Sequence, residues 1–149
     1  MAKKENLEET FGGAGAPEAG NTFVDVDFGD DVHEPVAMPE DEYELRILDF
    51  DVRTSQKTGG QFIMVRLEVV GEPYAKDFNH IMMLATENDD PKQANSRKFA
   101  VKSFVEAFDL PSRLSKEAVV GATGWAYLVQ EDGGEYGIQN RVRKFLPRR

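Results

Sequence analysis

Phe62, Met64 and Arg66 stand at alternate positions of one run, and Trp125 and Tyr127 at alternate positions of another. On a β-strand, alternate residues share a face. Flat rings accept stacked bases, and guanidinium or ammonium groups accept phosphates. Rings beside cations are therefore the chemistry of sequence-tolerant binding to an unpaired polynucleotide. The candidate cations are Arg53 and Lys57 in one loop, Arg66, Lys76, and the cluster Arg141, Arg143 and Lys144. Each residue also has a plainer reading. Trp125 is the single tryptophan and could fill a small core. Arg66 with Glu68 could be a surface ion pair worth at most about 1 kcal/mol. The C-terminal cations could be a solvated end, and His80 an ordinary strand residue.

Catalytic patterns are weaker. The absence of cysteine excludes disulfides, iron–sulfur clusters, thiol nucleophiles and cysteine-bound zinc, and His33 and His80 are too few for an all-protein transition-metal site. Asp25, Asp27, Asp30 and Asp31 suggest a calcium loop, but Gly29 falls at the fifth position instead of the sixth and the closing glutamate is missing. Asp27-Phe-Gly29 lacks the glycine-rich loop and catalytic loop that would give it meaning in a kinase. Asp49 and Asp51 share a strand face and could hold a nuclease metal with Glu68 or Asp77, but no lysine or histidine accompanies them at a useful spacing. No phosphate-binding loop occurs. The reading is a non-enzymatic protein with no cofactor and no metal.

These side chains need a scaffold. Tyr43–Arg53 alternates, with Tyr43, Leu45 and Ile47 in one phase and Leu48, Phe50 and Val52 in the next; a bulge in a long bent strand absorbs such a slip. Gly59-Gly60 turns the chain into a second strand, Phe62–Val70, whose core face is Ile63, Val65, Leu67 and Val69. A third strand covers Lys76–Leu84. Asp89 or Asp90 caps a helix with Pro91 in its first turn, Ala94, Val101, Phe104, Val105 and Phe108 on one face, and Phe99 nearly opposite. Pro111 stops it, and Ser115 could cap one more helical turn. Gly121–Gln130 and Glu135–Leu146 are the fourth and fifth strands around Asp132-Gly-Gly134. This mainly β order with one helix (β-β-β-α-β-β) is the layout of an OB-fold-like five-stranded barrel.

The charge is unevenly placed. Residues 1–41 carry Lys3 and Lys4 against eleven acids and hold the whole net charge of −9, whereas residues 42–149 carry sixteen groups of each sign. The first segment contains the glycine- and proline-bearing stretch 12–20 and the acidic aromatic run Phe23–Asp31. It reads as a largely disordered acidic arm, with residues 42–149 the folded domain. Phe23 and Phe28 are its candidate partner-binding residues; alternatively, Phe23–Phe28 adds an edge strand or packs on the domain. A tethered polyanion would also compete with nucleic acid for a basic groove. The chain has no apolar run of about 18 residues that could span a bilayer. Its N-terminus has no apolar signal region and predicts a cytoplasmic protein.

Tyr43-Glu-Leu-Arg-Ile-Leu-Asp-Phe-Asp-Val52 followed by Lys57-Thr-Gly-Gly-Gln-Phe-Ile-Met-Val-Arg-Leu-Glu-Val69 resembles the opening of phage-encoded OB-fold single-stranded DNA-binding proteins. Gly121-Ala-Thr-Gly-Trp-Ala-Tyr-Leu-Val129 and Tyr136-Gly-Ile-Gln-Asn-Arg-Val142 are similar to that group's last hairpin. The resemblance spans roughly 42–146 and is one of strands and turns. It implies a protein that coats single-stranded DNA in the host bacterial cytoplasm during replication or recombination, with replication or recombination proteins as further partners. The acidic segment lies at the end opposite to where many such proteins carry it; this chain closes on Arg141, Arg143, Lys144, Arg148 and Arg149. The competing reading is an accessory or virion-associated barrel that binds protein, without a nucleic-acid role.

Overall fold

The computed structural model describes residues 22–147. The expectations for residues 1–21, including the glycine-bearing stretch, and for Arg148 and Arg149 lie outside the described residues. The chain divides into two units between Val32 and His33. In the first, residues 22–29 form no strand, and Phe23 and Phe28 are exposed. Among the described residues, the second unit holds all the helices and strands.

Five antiparallel strands run β1 (Asp41–Thr54), β2 (Gln61–Val69), β3 (Phe78–Met83), β4 (Thr123–Asp132) and β5 (Ile138–Phe145), with helix α1 (Pro91–Phe108) and one-turn helix α2 (Lys116–Val119) between β3 and β4. The sheet order is β3-β2-β1-β4-β5. The two edge strands meet, so the sheet curls into a nearly closed OB-fold-like barrel. At one end of that seam the Lys76 ammonium donates to the carbonyls of Tyr136 and Ile138 at 3.1 and 2.9 Å. At the other, the His80 and Phe145 rings meet edge-on with centroids 5.1 Å apart.

Local chemistry accounts for the elements. The register of β1 against β2 shifts between Ile47 and Asp49, so Leu48 is the extra residue of a bulge. Leu45 and Ile47 before the shift and Phe50 after it all turn inward. Asp90 caps α1 by accepting from the Gln93 N–H at 2.7 Å, and Pro91 begins the helix. Asp89 instead pairs with Arg97 at 2.9 Å and accepts from the Thr86 N–H. The buried stripe of α1 is Phe104, Ala107 and Phe108. It closes one end of the barrel, where the Phe104 and Phe108 rings lie 5.6 and 5.8 Å from that of Phe145. Ser115 caps α2. The residues expected to open the fifth strand form a 3-10 turn, Gly134–Tyr136, because Gly137, with φ +77°, redirects the chain before β5.

The compact unit begins at His33 instead of residue 42 because the residues before β1 are tied to the barrel. The Val36 N–H donates to the Tyr74 carbonyl, and the Val36 carbonyl accepts from the Lys76 N–H. Asn140, buried at 3 % exposure, accepts from the Met38 N–H at 2.8 Å and donates to the carbonyls of Met38 and Val129. Its amide thus acts as a piece of sheet for a segment that has no strand partner there. Asn140→Ala strands the Met38 N–H, and a loss of about 2–3 kcal/mol is expected. Denaturant melts would measure it, and faster hydrogen exchange at Val36 and Lys76 would localise it.

Candidate nucleic-acid interface

Because the buried face of β2 is Ile63, Val65, Leu67 and Val69, its other residues face outward. Register then builds three outward rungs across β1, β2 and β3: Arg53–Phe62–Met83, Asp51–Met64–Ile81 and Asp49–Arg66–Asn79. Phe62, Met64, Ile81 and Met83 form a contiguous apolar patch on the outside of the barrel. Ile81 is 54 % exposed, and the other three are half-buried. The Arg66 guanidinium closes the row, donating to the Asn79 side-chain carbonyl at 3.3 Å. In an OB barrel, β2 and β3 with the loops at their ends form the ligand face.

The flanks differ in charge. On the β1 side, Asp49 accepts from Lys116 at 3.1 Å and Asp51 from Arg53 at 2.8 Å. These hydrogen bonds hold both carboxyls below their usual range, so both are anionic at neutral pH. Glu68 is paired with Arg46 at 2.8 Å. Of the carboxylates considered for a metal, Asp49, Asp51 and Glu68 are engaged with cations, and no cluster of three metal-binding side chains forms among the described residues. On the other side, β3 borders β5, which carries Arg141, Arg143 and Lys144. All three are exposed. Arg141 pairs with Glu131 at 3.0 Å, whereas Arg143 and Lys144 have no partner among the described residues. Lys57 is exposed in the β1–β2 loop near the Phe62 end of the patch.

The remaining sequence candidates lie elsewhere. Gly124, Ala126 and Leu128 point inward, so Trp125 and Tyr127 are on the outer face of β4, opposite Glu44 and Glu42 of β1. Both rings are half-buried. Along β1, Glu44 is separated from Arg53, the partner of Phe62, by roughly 30 Å of strand. Trp125 and Tyr127 thus join a different stretch of surface from Phe62 and Met64, with carboxylates beside them and Lys144 across from Tyr127. Lys76 has its ammonium committed to the barrel seam. Ile81, Met83 and Asn79 were not singled out from the sequence. Phe78–Met83 reads apolar in both phases, so only the register against β2 reveals its outer face.

His80 sits behind this face, against Phe145. Burial, reinforced by the Arg141 charge, lowers its pKa to about 4, so the ring is neutral at pH 7. The unfolded chain binds that proton near pH 6.5, which makes the folded state lose stability as pH falls from 6.5 towards 4. The expected loss is at most about 3 kcal/mol. Comparing urea melts of wild type and His80→Gln at pH 7 and pH 4.5 isolates it, because the variant should show the shallower pH dependence.

Comparison with protein-family models gives no match, and comparison with curated proteins gives none either.

Proposed function

We propose that this protein binds single-stranded DNA without strong sequence preference and shields it during phage DNA replication or recombination. The outward patch of Phe62, Met64, Ile81 and Met83, ending on Arg66, carries the reading. It offers a ring and soft apolar surface to bases on the two strands where an OB barrel meets its ligand. Arg53 and Lys57 at one end and Arg141, Arg143 and Lys144 beyond β3 supply the phosphate contacts. Phe23 and Phe28, exposed on an acidic segment, suit recruitment of a replication or recombination partner. The work is that of a cytoplasmic binding protein with no catalytic step.

One observation favours a protein-binding accessory barrel instead. Residues 42–149 are electrically neutral, and Arg53, Arg141 and Lys76 are already engaged within them. Anisotropy of a labelled oligo-dT at two salt concentrations, with duplex competitor, separates the two. The DNA reading expects binding that weakens with salt by about 0.7 in log K per log salt for each phosphate contacted, and little competition from duplex. No binding at low salt would leave the accessory role.

A further inference from the structure

A second concavity of about 440 Å³ opens between α1 and the end of β5. One wall is Phe99, 66 % exposed on the side of α1 away from its buried stripe. The other wall carries Arg143 and Lys144, and His80 and Phe145 also line the space. No carboxylate lines it among the described residues. The cavity therefore combines an uncovered ring with two cations that have no partner among the described residues and a neutral imidazole. Its volume lies in the usual range for small-ligand sites, about 300–1,000 Å³. Such a space suits a flat, anionic group.

Position favours one occupant. The cavity touches β3 through His80, whose side chain lies on the face of β3 opposite Asn79, Ile81 and Met83, and β5 through Arg143, so it opens at the β3–β5 seam beside the β2–β3 face, on the side away from Asp49 and Asp51. At the β1 margin Asp49 and Asp51 are paired with Lys116 and Arg53, whereas Arg143 and Lys144 have no partner among the described residues, so a polyanion crossing the Phe62–Ile81 patch is drawn towards β5. We propose that the same DNA strand continues into this groove, where Phe99 stacks on a base and Arg143 and Lys144 meet the neighbouring phosphates. This rests on the single-strand reading above and adds a second base-binding position to it.

Photo-cross-linking of a 5-iodouracil-substituted oligo-dT to the full chain, followed by peptide mapping, tests the inference. Affinities of Phe99→Ala and Phe99→Trp complete it. Cross-links are expected at Phe99 as well as Phe62, with affinity about tenfold lower in Phe99→Ala and restored by Phe99→Trp. Phe99 is largely exposed, so both variants should melt like wild type. Cross-links at Phe62 but none at Phe99, with unchanged affinity in Phe99→Ala, would overturn the groove assignment and leave the single-strand reading standing. Absence of any binding or cross-link would remove both. Protection of Phe99 by an acidic aromatic peptide but not by the oligonucleotide would overturn the assignment in favour of protein docking.

Discussion

Replacing Phe62 and Met64 together by alanine is expected to weaken oligo-dT binding about 100-fold at low salt. Truncating one stacking ring costs about 1–3 kcal/mol per base, and Met64 extends the same surface towards Ile81. A combined loss near 2.7 kcal/mol corresponds to that factor. The fold should survive, because both side chains point away from the core formed by Ile63, Val65 and Leu67. Phe62→Trp keeps a flat platform and should retain affinity. Anisotropy titrations alongside thermal melts give both quantities. A double variant that melts normally and binds like wild type would show that this face does not meet the strand.

Gly124→Val is expected to have the largest effect on stability. A Cβ at this position would lie 2.6 Å from the Ala107 carbonyl oxygen, 2.9 Å from its carbon and 3.0 Å from the Phe108 ring. The first two neighbours are backbone atoms of α1, so relief requires the helix to move off β4. That movement would pull Phe104 and Phe108 out of the end of the barrel. Overpacking of this kind costs about 1–3 kcal/mol, and the branched side chain places valine at the upper end. The melting temperature should fall by roughly 10 °C. A variant melting within a degree of wild type would mean that α1 does not pack this closely on β4.

The two predictions draw on features that differed in how easily the sequence gave them away. The bulge at Leu48 was readable because apolar alternation breaks phase there, and a strand with one buried face cannot absorb that break otherwise. A cap at Asp89 or Asp90 was readable because Asp before Pro91 carries local chemistry, and the structure assigns the role to Asp90. The barrel followed from the order of elements. Asn140 was not readable: its partner Met38 lies far away in sequence, and nothing local marks a buried amide that replaces a strand. The seam role of Lys76 was hidden for the same reason. The separation of Trp125 and Tyr127 from Phe62 depends on the register of β1 against both neighbours, which period-2 patterns do not encode. Gly124 looked like any strand glycine until α1 was seen to lie across it.

The claim that joins fold to function is that DNA lies across the outer face of β2 and β3. Mapping ¹⁵N–¹H amide shifts of the full chain during titration with oligo-dT tests it most directly. The account expects the largest changes at residues 62–66 and 79–83, with smaller ones in the β1–β2 loop and at Arg143 and Lys144. Saturating binding with shifts confined to β4 around Trp125, or no shifts at all, would contradict it.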